Sequence, residues 1–167
     1  MRHIIEASAH GLHWTQSMSG MHSELHAGDT LVAQLERRSV FGTLATGESA
    51  DGCWTFKRVG FLQARATIRR CADDADIGVF HDNTWNGGGT LELTSGATFR
   101  VTTNFWSTRL AFVREDETPL ITFTISGVLK RSADVDFHAD ATSHRDTPLL
   151  VIFGWYLIVM LSGDGVA

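Results

Sequence analysis

From about Ser23 to Phe137 the chain alternates apolar and polar positions in short, repeatedly punctuated runs. Cys53–Val59 sets Trp54 and Phe56 against Thr55 and Lys57. Leu91 and Leu93 alternate with Glu92 and Thr94. Phe99, Val101, Thr103 and Phe105 alternate with Arg100, Thr102 and Asn104. A period of two puts one set of side chains on each face of a strand. Thr30–Arg38, Phe41–Thr46, Ala64–Arg70, Ile77–His81, Leu110–Arg114, Ile121–Ile125 and Ala133–Phe137 read the same way. Turns are expected at residues 47–52, at Asp73, Asp74 and Asp76, at 86–89, at Ser95-Gly96 as a two-residue hairpin loop, and at 115–118. Pro occurs only at 119 and 148, where a missing N–H is tolerated. Many short strands at this spacing predict an antiparallel sandwich or barrel. Residues 1–20 are His-rich and show no period, and read as a lead-in that is part of, or packed on, a domain at 21–167.

The last segment breaks the pattern. Leu149–Leu161 is thirteen residues without a charge. Asp146 or Thr147 can cap a helix there, Pro148 suits its first turn, and Ser162-Gly163 can end it. Such a helix, at about 148–161, spans about 20 Å. It is apolar on every side, so every side must be covered. A membrane span needs about 20 apolar residues, and the flanking Asp146 and Asp164 are acidic. A buried pair of central strands is a second alternative. A helix enclosed by the sheet fits best, because a wide barrel has room for one. The inward set is then Trp54, Phe56, Leu91, Leu93, Phe99, Val101, Phe105, Leu110, Phe112, Ile121, Phe123, Ile125, Val135 and Phe137. The expected fold is therefore mainly β, a closed antiparallel β-barrel of about 12 strands enclosing a hydrophobic C-terminal α-helix.

Composition narrows the partners. The 167 residues fit one domain. Fourteen Lys and Arg against nineteen Asp and Glu leave a net charge of −5, which argues against nucleic acid. Cys53 and Cys71 are too few for a disulfide framework, and are expected reduced and buried as small apolar groups. Met1–Glu6 holds two apolar residues before a carboxylate, short of the run a secretory signal needs, so a cytoplasmic setting is expected.

An antiparallel barrel around an apolar C-terminal helix resembles the tubby C-terminal-like fold, which includes tubby proteins, plant LURP-one-related proteins and phospholipid scramblases. The residues that carry the likeness are Asp51–Phe61, the Gly88-Gly89-Thr90-Leu91-Glu92-Leu93 hairpin, Asn104-Phe105-Trp106, and Pro148–Met160. The likeness runs from about Trp14 to Leu161 and is nearest to small bacterial single-domain members. It implies the fold and leaves the activity open. Tubby proteins bind phosphoinositide head groups through a basic motif that has no counterpart here. Scramblases carry a Cys-rich stretch and an acidic segment before the helix. Here Asp134, Asp136, Asp140 and Asp146 fill the acidic part and no Cys cluster exists.

Candidate chemistry is sparse. His22-Ser-Glu24-Leu-His26 lacks the His-Glu-x-x-His spacing of a zinc helix. On a strand, His22, Glu24 and His26 would share a face, with His10 or His13 as a further metal ligand, but an exposed first strand is the simpler reading. Cys53 and Cys71 stand too far apart for a deaminase's paired cysteines. Gly87-Gly88-Gly89 lies between strands, unlike a phosphate loop. Asp73, Asp74 and Asp76 lack the twelve-residue calcium loop. No Gly-x-Ser-x-Gly elbow occurs. The expectation is no enzyme, no cofactor and no metal.

Basic residues are more informative. Eight of the fourteen form four adjacent pairs: Arg37-Arg38, Lys57-Arg58, Arg69-Arg70 and Lys130-Arg131. Neighbours on a strand point to opposite faces, so one member of each would enter an apolar lumen unless it sits at a strand end. Pairs gathered at one mouth would make a positive rim for a phosphate or an anionic lipid head group, with peripheral membrane contact. Scattered charges that keep the sheet soluble are the plainer alternative. Three functions follow: a non-enzymatic binding or scaffold domain, recognition of anionic lipid or phosphoinositide at a basic rim, and a scramblase-like protein anchored by 149–161.

Overall fold

Strands with one apolar face must bury that face together. A computed structural model of the chain does so with twelve strands closed into one antiparallel barrel. It describes residues 1–39, 42–59, 65–83, 88–104, 108–127, 130–138 and 140–164, with the backbone alone at Asn83 and 161–164. A short helix, α1 (Ile4–Ala7), and a 3-10 turn (Ser8–His10) precede β1 (Leu12–Gln16). The strands that follow are β2 (His22–Ala27), β3 (Thr30–Arg37), β4 (Ala45–Ser49), β5 (Gly52–Val59), β6 (Arg65–Arg70), β7 (Asp76–Asn83), β8 (Gly88–Leu93), β9 (Thr98–Thr103), β10 (Arg109–Val113), β11 (Pro119–Ser126) and β12 (Ser132–Phe137). Helix α2 is Thr147–Asp164.

Each strand pairs with the next in sequence, and β1 pairs with β12 to close the ring, Leu12 facing Val135 and Trp14 facing Ala133. In such a meander the odd strands end, and the even strands begin, at one rim. This is the first rim, and the opposite one is the second rim.

Three sequence expectations need correction, and the lead-in, expected as part of the domain or packed on it, supplies a strand that the alternation did not reveal. The lead-in contains β1, whose Leu12, Trp14 and Gln16 are buried while His13 is exposed. Five residues among scattered histidines were too short a run to show a period. Gly47 and Ser49 belong to β4, and the turn is confined to 50–51. Gly47 serves a close approach here, since a Cβ would lie 2.3 Å from Ile152. Gly88 and Gly89 open β8, where a Cβ on Gly89 would collide with Phe80. The helix also runs past Ser162-Gly163 to Asp164.

The inward set is otherwise as the alternation requires. Phe56, Leu91, Leu93, Phe99, Val101, Leu110, Phe112, Ile121, Phe123, Ile125 and Val135 are buried, and Trp54 and Phe137 are half-buried. Phe105, like Phe61 and Trp106 of the resembling motifs, lies outside the described residues. Helix α2 is buried from Thr147 to Met160 on all faces and shares one apolar cluster with these strands. Trp155 stacks on Trp14 of β1 with ring centres 5.5 Å apart. Phe153 meets Phe56 of β5 at 5.4 Å and Phe80 of β7 at 5.8 Å. A Cβ on Gly154 would lie 2.4 Å from Phe123 of β11 and 2.9 Å from Phe112 of β10. Among the described residues no helix is long and apolar enough to cross a membrane.

The cysteines also depart from expectation. Cys53 at the start of β5 and Cys71 just past β6 are joined as a disulfide, with Cα atoms 5.4 Å apart. The Cys71 N–H donates to the Cys53 carbonyl at 3.1 Å, so the antiparallel ladder itself brings the thiols together. Cys71 is exposed and Cys53 half-buried, not small core residues. Disulfides persist in oxidising surroundings, so these residues lend nothing to a cytoplasmic placement.

Candidate functional site: a basic rim

The strand parity sorts the charges. Arg37 ends β3 and Arg38 follows it, Lys57-Arg58 lie near the end of β5, and Lys130-Arg131 immediately precede β12. All six stand at the first rim. Arg65 opens β6 and Arg109 opens β10, so they join them there. Neither has a basic neighbour in sequence, and only a known strand start could have marked them. The fourth pair is a correction. Arg69-Arg70 ends β6 at the second rim, and a register shift after Ile68 leaves both members exposed.

Alternation acts within the gathered pairs. Arg38, Lys57 and Lys130 are exposed, whereas Arg37, Arg58 and Arg131 are half-buried. The Arg37 Nη2 donates to the Gly42 carbonyl at 3.1 Å. The Nε groups of Arg37 and Arg131 are buried and have no partner among the described residues. Arg58 lies 3.7 Å from Asp82. Beneath them the Tyr156 hydroxyl of α2 donates to the Thr43 carbonyl at 2.7 Å. The Thr43 hydroxyl accepts from the Arg58 N–H and donates to the Arg58 carbonyl, both at 3.1 Å. Burial pushes the Tyr156 phenol up to about 12, although the Thr43 side chain and the nearby Arg58 and Arg37 pull the other way. The carbonyl end of α2 thus lies toward the cations, which suits its dipole.

The two rims differ in how their cations are matched. Toward the second rim Arg69 lies 2.7 Å from Asp76 and Arg70 lies 3.0 Å from Asp73. Arg114 lies 3.0 Å from Asp140, and Arg100 pairs with Glu117 through two hydrogen bonds. Asp73 is held below the usual carboxylate range by the Ala75 N–H and by Arg70, and Glu117 by Arg100. At the first rim, Arg37, Arg38, Lys57, Arg65, Arg109, Lys130 and Arg131 have no carboxylate within 4.0 Å among the described residues.

Other candidates are less developed. A cavity of about 370 Å³ opens at the second rim between Trp54, Ile77, Leu93 and Leu149. Its Arg70 and Arg145 are offset by Asp51 and Asp146 in the same lining. His22, Glu24 and His26 do share the outer face of β2. His22 lies 3.0 Å from Glu24 and 3.3 Å from Glu36, and His26 lies 3.5 Å from Glu24. His13 pairs instead with Asp134 at 2.7 Å, and His10 ends the 3-10 turn. Among the described residues no three His, Cys, Asp or Glu side chains are grouped to hold a metal ion. Asp73, Asp74 and Asp76 form a polar turn whose carboxylates face Arg69 and Arg70. No family model, no curated protein and no solved structure matches the chain.

Proposed function

We propose that the chain is a non-enzymatic binding domain of the tubby C-terminal-like class, its barrel threaded by α2, and that its first rim receives phosphate or another anionic group. The threading is supported by the ring of strands that α2 touches: Trp14 on β1, Gly47 on β4, Phe56 on β5, Phe80 on β7, and Phe112 and Phe123 on β10 and β11. With the lumen filled by side chains of α2, an outside partner meets the barrel at a rim or on its wall. The observation that carries the ligand class is the contrast between the rims. Six of the eight paired cations gather at the first rim, where five of them have no carboxylate within 4.0 Å among the described residues, on a molecule of net charge −5.

The test is sedimentation with vesicles in low salt. Vesicles of phosphatidylserine and phosphatidylcholine are expected to carry the protein down, and phosphatidylcholine alone is not. Each cation near such a surface contributes about 1 kcal/mol, so Lys130→Ala with Arg131→Ala should weaken binding roughly 30-fold. Arg69→Ala with Arg70→Ala should leave it unchanged. Equal sedimentation with neutral vesicles, or equal loss from both double variants, refutes the proposal.

A further inference from the structure

The turn between β1 and β2 lies within this rim. Ser17-Met18-Ser19-Gly20-Met21 carries no charge. On one side Gln16 exchanges hydrogen bonds with Arg131, its N–H donating to the Arg131 carbonyl and its Oε1 accepting from the Arg131 N–H, both at 3.2 Å. On the other side the Arg37 N–H donates to the Met21 carbonyl at 2.9 Å. An uncharged tip is therefore flanked by Arg37-Arg38 and by Lys130-Arg131.

The tip is built rather than loose. The Ser17 N–H donates to His22 O at 2.8 Å, the Gly20 N–H to Ser17 O at 3.0 Å, and the Met21 N–H to the Ser19 hydroxyl at 3.3 Å. Gly20 takes a positive φ of 75° to close it. These bonds present Met18 outward at 87% exposure, against 52% for Met1, the other large apolar side chain exposed among the described residues. A single exposed apolar residue is ordinary. One held in a hydrogen-bonded turn between two cationic pairs matches the boundary between lipid head groups and acyl chains, where cations meet phosphates and an apolar side chain leaves water.

We propose, resting on the anion-binding reading above, that the first rim docks end-on onto an anionic bilayer, with Met18 entering the interface. Net negative charge does not oppose this. The strands are six to eight residues long around most of the ring, so the rims stand about 20 Å apart. That is roughly twice the Debye length at physiological salt, so the surface meets the cations while the acidic rim is screened. The same separation orients the barrel, because the reverse approach brings carboxylates to the phosphates.

The experiment compares Met18→Asp and Met18→Leu with the unaltered chain on phosphatidylserine vesicles and on soluble inositol hexakisphosphate. Met18→Asp is expected to weaken vesicle binding at least about tenfold and the soluble anion by no more than the roughly fivefold that one added carboxylate costs beside these cations, while Met18→Leu keeps both. An environment-sensitive dye on Met18→Cys should shift to the blue on these vesicles, and the same dye on Ser95→Cys at the second rim should not. Vesicle binding unchanged in Met18→Asp, or equal dye shifts at both rims, overturns the docking while the anion-binding reading stands. A chain that binds inositol hexakisphosphate or a DNA duplex but no anionic vesicle overturns it too. Failure to bind either the soluble anion or the vesicles removes the anion-binding reading itself.

Discussion

Tyr156 is the sole tyrosine of the chain, so its ionisation can be followed directly by absorbance. Burial favours the neutral phenol and pushes it from 10.0 up to about 12. The unfolded chain loses this proton near pH 10, the folded one only near 12. Tyr156 therefore contributes stability that is fully present below pH 10 and is lost as pH rises toward 12. A spectrophotometric titration should show no phenolate step at pH 10 while the fold persists, and a normal step at 10 would place the hydroxyl in water. At this scale the sequence was partly legible. Adjacent cations conflict with a two-residue period, and that conflict sent them to strand ends. Which rim each pair reached depended on counting strands, and the unseen β1 and misplaced β4 hid the parity. Met18 left no signal, because a methionine in an irregular stretch looks the same whether it is buried or presented.

Among the elements, β5 and β6 are joined twice, by their ladder and by Cys53–Cys71. The crosslink closes a loop with a sequence separation of 18, which stabilises the fold by about 3 kcal/mol through restriction of the unfolded chain. Reduction, or Cys53→Ser with Cys71→Ser, should lower the urea midpoint accordingly, and an unchanged midpoint would mean that the pair is not bonded. Two cysteines in one sequence could not announce this, since only the register of two strands shows that they meet. The strands themselves were readable wherever alternation was long, as at Phe99–Thr103. They were misread where glycine stood for contact rather than turning. Gly47 faces Ile152 and Gly89 faces Phe80, and a propensity argument cannot separate those uses from a bend. Helix α2 was readable because thirteen uncharged residues have few places to go, and it ran beyond its expected end because Gly163 did not terminate it.

For the whole molecule, the described residues of barrel and helix form one apolar cluster. Ending the chain before Thr147 should leave the inward faces of the strands uncovered. The shortened protein is expected to lose cooperative unfolding and to bind a hydrophobic dye. If it unfolds cooperatively at the midpoint of the full chain, α2 lies outside the barrel. The closing contact has a consequence for synthesis. Leu12–Thr15 cannot find their partners until Ser132–Val135 have been made, and the helix comes later still. A nascent chain on the ribosome therefore carries two open edges until β12 is made, and an unfilled greasy wall until α2 follows. Pairing across so much sequence is slow, and every growing copy must be kept from its neighbours until α2 emerges.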